Sequence, residues 1–411
     1  MRGARWSCMA VFFSLAGMHP AGGAPLRLTL EDVVARAKTA SLDLQTSQKD
    51  IDLANAHLER SRALLPSNPY FTGGAQRSEN FGPNYTFYLS QEFEIAGQRQ
   101  KRIGAATENV QKATWEMQTA EQSLVAVAKT AFVHALVTVD RVNVAQRGVE
   151  AAHDMVDQLT SRKSSTDLAR IELNTALMQE SRSRRELVTA EQNHDGSLDA
   201  LRRLLGLPLR QEIALAGAPV ADVQELPAAT ELVERALRQR PDLVALRHNV
   251  QQADLQVAVA QRERIPNITL SGSVSRFEGD TLAGGDVSVP VPVFQRKTAE
   301  LHEALAERDR ASLQVQNLQR TIEKEVLDAR NACVIAAGDL QEHKRLIVPK
   351  SEENDQLEGR LYDRGEVSVA DLINTHIDLL AARREYLDAL ETYNNALIEL
   401  ERIVGGSIAS P

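Results

Sequence analysis

Aromatic rings, thiols and positive charge are all scarce in this sequence. Only 4% of its 411 residues are Phe, Trp or Tyr, so a compact all-β enzyme with a ring-rich core is not expected. The aliphatic and charged residues that dominate instead, 43% hydrophobic and 25% charged, exclude a disordered chain. Cys8 and Cys333 are the whole thiol inventory. If Cys8 leaves with a leader, no intramolecular disulfide can form. The formal charge of −9 speaks against nucleic acid, because phosphate binding needs clustered Lys and Arg. No run of 18 uncharged apolar residues occurs, so any membrane contact is not made by a spanning helix.

Sets of residues that do chemistry are missing too. There is no Gly-x-Ser-x-Gly elbow, and the loop from Gly279 to Gly285 lacks the Gly-Lys-Ser/Thr ending of a phosphate loop. His57, His134, His153, His194, His248, His302, His343 and His376 are scattered, none with a second histidine at helical ligand spacing. Met117, Met155 and Met178 are too far apart to act together. Neither an enzyme, a cofactor nor a metal site is expected.

Export is the first positive signal. Residues 1–24 carry Arg2 and Arg5, an apolar run from Met9 to Met18 and the small residues Ala21-Gly22-Gly23-Ala24, the pattern of a cleaved secretory signal. The run is too short for an uncleaved anchor. Arg5-Trp6-Ser7 before Cys8 does not fit a lipoprotein signal. Loss of two arginines and no acid takes the charge from −9 to −11.

The rest of the chain reads as two copies of one unit. Shifted by 199 positions, Ala37 falls on Ala236, Asp43-Leu44 on Asp242-Leu243, Arg184-Arg185-Glu186 on Arg383-Arg384-Glu385, and Gly206 on Gly405. The first unit covers 25–215, a linker 216–228, and the second unit 229–411. No proline lies between Pro83 and Pro208, and only Pro349 interrupts the stretch from Pro292 to Pro411. Helices are expected at about 42–65, 98–162 and 166–205, then 241–265, 297–361 and 368–404, with a kink at Pro349. The two 65-residue helices would reach about 97 Å at ~1.5 Å per residue, which suits a helical tube and not a globule. In the last helix Val369, His376, Arg383, Leu390, Leu397 and Val404 recur every seven residues, as do Leu372, Leu379, Tyr386, Tyr393 and Leu400. His376 and Arg383 are flaws in that seam.

Between the helices each unit carries two segments of period two. They are expected as strands at about 69–79 and 84–95, and at 267–277 and 285–294, with hairpin loops at Asn80 to Asn84 and Glu278 to Gly285. Tyr85, Phe87, Leu89 and Phe93 alternate with polar residues, and so do Ile268, Leu270 and Val274, and Val287, Val289, Val291 and Val293. One apolar and one polar face over about ten residues suits a membrane β-barrel wall, with lipid outside and water inside. The alternative is an amphipathic hairpin packed on a helix. Four strands cannot close a barrel, which needs about eight, so several chains must share one.

Several fragments carry a family resemblance. They are Leu28-Thr29-Leu30-Glu31-Asp32, Ser90-Gln91-Glu92-Phe93-Glu94-Ile95-Ala96-Gly97-Gln98-Arg99 and its counterpart Pro290-Val291-Pro292-Val293-Phe294, Leu204-Leu205-Gly206, and Ile347-Val348-Pro349 followed by Tyr362-Asp363-Arg364-Gly365-Glu366 and Asp371-Leu372-Ile373. Together they resemble the TolC-like outer-membrane efflux proteins across the mature chain, most closely the heavy-metal branch of cobalt–zinc–cadmium and nickel exporters. The resemblance implies a mainly α fold with a small transmembrane β part. It implies a homotrimer in the outer membrane of a Gram-negative bacterium, with a shared 12-stranded barrel in outer-membrane lipid and a trimeric α-barrel in the periplasm. It also implies a periplasmic adaptor and an inner-membrane RND pump as partners, and divalent metal cations as cargo. A duct for drugs or type I secretion is the alternative in the same class; a soluble periplasmic coiled-coil scaffold is the alternative from another.

In the family the gate lies at the helical turns furthest from the membrane, here 159–168 and 358–372. The resemblance places gate residues at Asp371, Tyr362, Asp363, Arg364, Glu366 and Asp167, and tip-turn or adaptor-docking residues at Gly365, Ser368 and Thr166. Asp371 matches the acidic constriction, where a carboxylate repeated by symmetry would attract cations and respond to protonation or adaptor contact. Gly365 permits the turn. Thr166 stands where the 199 shift would place Gly365, which sets the two turns apart.

Overall fold

The computed structural model describes residues 26–79, 82–161, 166–277 and 280–408. The expected leader and Arg162-Lys163-Ser164-Ser165 of the first turn lie outside the described residues. The chain runs β1 (Leu26–Leu28), α1 (Leu30–Ala40), α2 (Leu42–Ser61), β2 (Tyr70–Ser78), β3 (Gly82–Phe93), α3 (Gln98–Ser161) and α4 (Asp167–Leu204). It continues with β4 (Ile213–Leu215), α5 (Ala229–Gln239), α6 (Pro241–Arg262), β5 (Ile268–Phe277), β6 (Asp280–Ser288), α7 (Thr298–Glu342), a π turn (His343–Ile347), α8 (Val348–Asp363) and α9 (Val369–Val404).

Local chemistry sets the boundaries. Thr29 and Asp32 form a capping box at α1. Ser41 ends α1 through its N–H on Ala37 O and starts α2 by accepting the Leu44 N–H. Arg240 stands at the same corner between α5 and α6, its N–H on Ala236 O, with Pro241 opening the next helix. α2 stops at Ser61, not at 65, because Arg99 at the head of α3 reaches back to Arg62 O (2.8 Å) and Ala63 O (3.0 Å). α6 likewise stops at Arg262, ahead of Pro266.

Expected as one helix over 297–361, the second long segment is broken. Pro349 has no N–H to give, and the backbone widens by one residue before it: the Val348 N–H reaches His343 O, five residues back. The helix then runs on to Asp363, two residues further than expected.

α9 holds the unit together through two seams. Val369, Leu379, Leu390, Tyr393, Leu400 and Val404 of the heptad pattern are buried, and so is a further row spaced by seven, Ile373, Leu380, Leu387 and Asn394. α9 therefore packs on α7 and α8 and also on α3. At the α3 contact a Cβ on Gly148 would lie 2.9 Å from a Leu380 methyl, so any larger residue there makes the Leu380 side chain shift. α3 is the one described helix long and apolar enough to cross a bilayer by composition. Its middle is packed in protein, with Ala128, Phe132 and Leu136 in one core and Val133 and Val137 in the other.

Residues 216–228 cross the second unit as a belt. Asn394 accepts the Val220 N–H (2.9 Å) and donates to Val220 O (3.0 Å), the Tyr393 hydroxyl accepts the Gln224 N–H (3.0 Å), and Lys344 in the π turn binds Ala221 O and Asp222.

The four long strands form one antiparallel sheet in the order β2-β3-β5-β6. Its register puts Phe71, Phe87, Leu89, Val274, Leu270 and Val287 on one face, and Thr72, Tyr88, Ser90, Ser271, Ser273 and Asp286 on the other. The apolar face is open: Phe71, Phe87, Leu89, Leu270, Val274 and Val287 are all exposed. The last strand differs from expectation. It runs over 280–288 instead of 285–294, because Pro290 and Pro292 cannot donate to a ladder that ends at Thr269↔Ser288. Pairing with β5 carries Gly284 and Gly285, which looked like turn residues, into the strand. Val289, Val291 and Val293 lie beyond it.

Mid-strand charge tests the faces. Val274→Arg should cost roughly 2–4 kcal/mol in bilayer assembly and sharply lower the membrane-inserted yield, while Ser273→Arg on the polar face assembles normally; equal yields would mean the face assignment is wrong.

Candidate functional site at the helical tips

At the ends furthest from the sheet, α3 stops at Ser161 and α4 starts at Asp167, and residues 364–368 form the turn between α8 and α9. The second turn is closed by backbone geometry. Gly365 takes φ +74, its N–H donates to Tyr362 O (2.9 Å), and the Glu366 N–H donates to Leu361 O (3.0 Å). These two bonds satisfy the last carbonyls of α8 and need a left-handed residue. A Cβ at Gly365 would meet nothing within 4 Å, so glycine is there for its φ and not for space.

Ser368 then opens α9 with a capping box. Its hydroxyl and N–H donate to the Asp371 carboxylate at 2.7 and 3.1 Å, and the Asp371 N–H returns to the Ser368 hydroxyl at 3.3 Å. The hydroxyl bond first, and the backbone bond after it, hold the Asp371 pKa below the usual carboxylate value. A lowered folded pKa gives stability that is present above the unfolded value and lost only as pH falls through the folded one. Within one chain Asp371 therefore stays charged through neutral pH, and its protonation is not a neutral-range switch.

Thr166 does for α4 what Ser368 does for α9. Both are extended (φ −77 and −82), and Thr166 Oγ1 accepts the Ala169 N–H at 3.3 Å. Thr166 thus corresponds to Ser368 and not to Gly365, an offset of 202 at the tip itself against the 199 that holds again from Arg184 to Gly206. Asp167 follows on the exposed first turn of α4 and has no ion pair among the described residues.

The expected gate residues separate into three groups. Tyr362 is only 6% exposed and packs with Val156 and Leu159 of α3, Ala176 of α4, and Val369 and Ile373 of α9. Its ring ties the second hairpin to the first. Arg364 and Glu366 pair with each other at 3.1 Å in solvent. Asp363 lines a cavity of 330 Å³ above Tyr362, with Gly359, Gln158, Gln179 and His376.

Sequence reasoning passed over the polar contacts just above the tip. The two flaws in the heptad have partners across the hairpin: His376 Nδ1 lies 3.2 Å from Asp355, and Arg383 donates to Glu352 at 2.9 Å. In the first hairpin His153 meets Glu180 at 3.0 Å, and Arg184 donates to the same carboxylate at 2.7 Å. That Arg184 bond is the main reason the Glu180 pKa is lowered, burial opposing it. Arg384 joins the hairpins through Glu186 at 2.8 Å. A polar residue at a seam position was the available signal. No nucleophile or proton relay is assembled here, and among the described residues no three His, Cys, Asp or Glu converge as metal ligands. What the arrangement controls is how tightly four helix ends are held together.

Gly365→Ala should cost about 1–2 kcal/mol of local stability, the strain of a left-handed Cβ. It should show as faster limited proteolysis at the tip with the sheet intact; an unchanged cleavage rate would mean the turn tolerates another conformation.

Three comparisons bear on this geometry. Residues 232–406 match the family model described as "Outer membrane efflux protein". Among curated proteins, the chain is 22% identical to the cobalt-zinc-cadmium resistance protein CzcC of Cupriavidus metallidurans, over 92% of this chain and 90% of that one. It is 22% identical to the pyoverdine export outer membrane protein OpmQ of Pseudomonas aeruginosa, over 86% of this chain and 76% of that one. Among solved structures, a crystal structure of CusC, described in terms of folding and transmembrane channel formation, superposes with a TM-score of 0.79 at 17% identity, covering 96% of each chain.

Proposed function

We propose that this chain belongs to the outer membrane efflux protein family, has the TolC-like channel fold, and is one subunit of a homotrimeric exit duct that releases divalent heavy-metal cations from a tripartite pump. The duct lies in the outer membrane of a Gram-negative bacterium and transports without catalysing a reaction. A periplasmic adaptor meets the helical tips, and an inner-membrane RND pump supplies the energy.

One observation carries the duct reading: a sheet with an exposed apolar face and a polar face, continued by a helix of 64 residues, or about 96 Å at ~1.5 Å per residue. Neither a soluble scaffold nor an adaptor needs such a face. The metal cargo is supported by the likeness to CzcC along nearly the whole of both chains. The likeness to OpmQ supports the second reading, a duct for an organic export substrate.

At the tip, Asp371 places a fixed negative charge at the mouth of each subunit, and three copies would favour cations there. Tyr362 holds the second hairpin on the first, the Ser368–Asp371 cap fixes the start of α9, and adaptor contact at Gly365, Ser368 and Thr166 would be the event that loosens the tip. Asp167, Asp363, Arg364 and Glu366 complete the charged rim.

Deleting the gene should raise cell-associated cobalt, zinc, cadmium or nickel in metal-challenged cells, measured by elemental mass spectrometry, with the plasmid-borne gene restoring it. Unchanged metal content with retention of an organic export substrate would transfer the assignment to the second reading. In planar bilayers, Asp371→Asn should reduce cation-over-anion selectivity; unaltered conductance and selectivity would remove Asp371 from the gate.

A further inference from the structure

Two opposite edges of the chain are apolar and exposed. The first begins where β6 stops. Pro290 and Pro292 end the ladder, and the strap they carry holds Val291 at 79% and Phe294 at 97% exposure. The strap is shaped and not merely trailing: the Val293 N–H turns back to Val291 O at 2.9 Å, and Lys297, in a left-handed conformation, anchors the next helix to Glu263 at 3.1 Å. Leu313, 64% exposed, continues this edge down α7.

The second edge is α2 with the start of β2. Leu42 and Leu53, eleven residues apart, lie on one face of α2, Leu64 stands three residues past its end, and the three are 74%, 59% and 78% exposed. Tyr70, 65% exposed, follows where β2 starts. The sheet register fixes the relative height of the two edges. Tyr70 pairs with Ser90, Ser90 with Ser271, and Ser271 with Asp286, so Tyr70 and Asp286 lie in one row across the sheet. Leu64 and Phe294 therefore descend from the same level on opposite sides. α2 carries Leu42 and Leu53 about 17 Å apart and α7 reaches Leu313 about 22 Å below its start, at ~1.5 Å per residue.

We infer that the strap is an inter-subunit clasp, in which Phe294 and Val291 of one copy seat on the Leu64–Tyr70 junction of the next copy. The occupant is a second copy because both halves of the contact belong to this chain, at one height and on opposite edges. The strands above them, β2 and β6, each have an edge that in lipid only another strand can satisfy. Such a contact is head-to-tail, so it closes into a ring and does not stop at a two-fold dimer. The prolines make the clasp separate from the ladder: the strap cannot extend the strand pairing, so it packs by side chains below it. This inference rests on the proposed multi-chain duct and names where its subunits grip.

The test is cross-linking in the assembled protein. The mature chain offers only Cys333, which is buried, so introduced thiols report cleanly. Phe294→Cys with Leu64→Cys, treated in isolated membranes with a short bismaleimide, should give covalent dimers and then closed trimers. Neither single variant should cross-link, nor should Phe294→Cys with Leu168→Cys at the distant tip. As a second readout, Phe294→Asp should lower the temperature at which the detergent-extracted assembly falls into monomers, and Phe294→Leu should retain it. A multi-chain particle without the cross-link overturns the clasp and leaves the duct standing. Labelling of Phe294→Cys by a lipid-soluble maleimide without cross-linking also overturns it, and places the strap on lipid. Cross-linking of the single variant contradicts the head-to-tail geometry. A single-chain particle removes the duct reading and the clasp together.

Discussion

Every backbone N–H and C=O facing hydrocarbon must have a protein partner, since lipid offers none and each orphan group costs several kcal/mol. The sheet β2-β3-β5-β6 meets half of that demand. Its internal ladders pair three strand interfaces, but its two outer edges are open, and its apolar face is bare. In water that face would drive aggregation; in lipid those edges would be unsatisfied. Only a closed wall made from several copies resolves both problems. The parallel duplication of the helices serves the same end, because each unit sends its hairpin away from the sheet in the same direction.

Below the sheet the problem changes from hydrogen bonds to packing. A helix in a tube wall has neighbours on two sides, and α9 carries two buried rows to match, one led by Val369 and one by Ile373. Gly148 lets α3 approach the second of these rows closely. The belt at 216–228 is fastened to α9 through Asn394 and Tyr393, to α7 through Arg330, and to the π turn before Pro349 through Lys344. Beneath that point polar contacts join the apolar packing: Arg383–Glu352, His376–Asp355, Arg384–Glu186, with the Tyr362 cluster at the tip below them. Of these, Arg384–Glu186 is the most exposed, and a solvent-exposed pair contributes little net stability. The proposed opening at the tip would have to part the Tyr362 cluster that joins the two hairpins there.

Much of this was legible in the residues. Proline-free intervals and a seven-residue repeat announce α3 and α9, and alternation announces β2, β3 and β5. Three things were not legible, each for a physical reason. Gly284 and Gly285 look like a turn, but pairing with β5 overrides their low strand propensity, while Pro290 and Pro292 end the strand that the valines seemed to extend. The π turn depends on how the backbone accommodates Pro349, which no side-chain pattern records. At the tip, the resemblance singled out Asp371 and Tyr362 together as gate residues, yet one is tied into a helix cap and the other is buried core. Burial is set by the meeting of two hairpins more than 190 residues apart in sequence, and one chain's pattern does not encode that. Conversely, His376 and Arg383 looked like defects in a seam because their partners lie on the antiparallel helix.

The central claim is that this chain completes its sheet only with other copies of itself in a membrane. The most direct test is the mass of the particle extracted from outer membranes by mild detergent, measured by light scattering with detergent subtracted. The account predicts a particle of three chains that is released by detergent and not by salt or buffer. A single chain recovered in the soluble periplasmic fraction would contradict it, and would mean that the apolar face of the sheet is covered by protein.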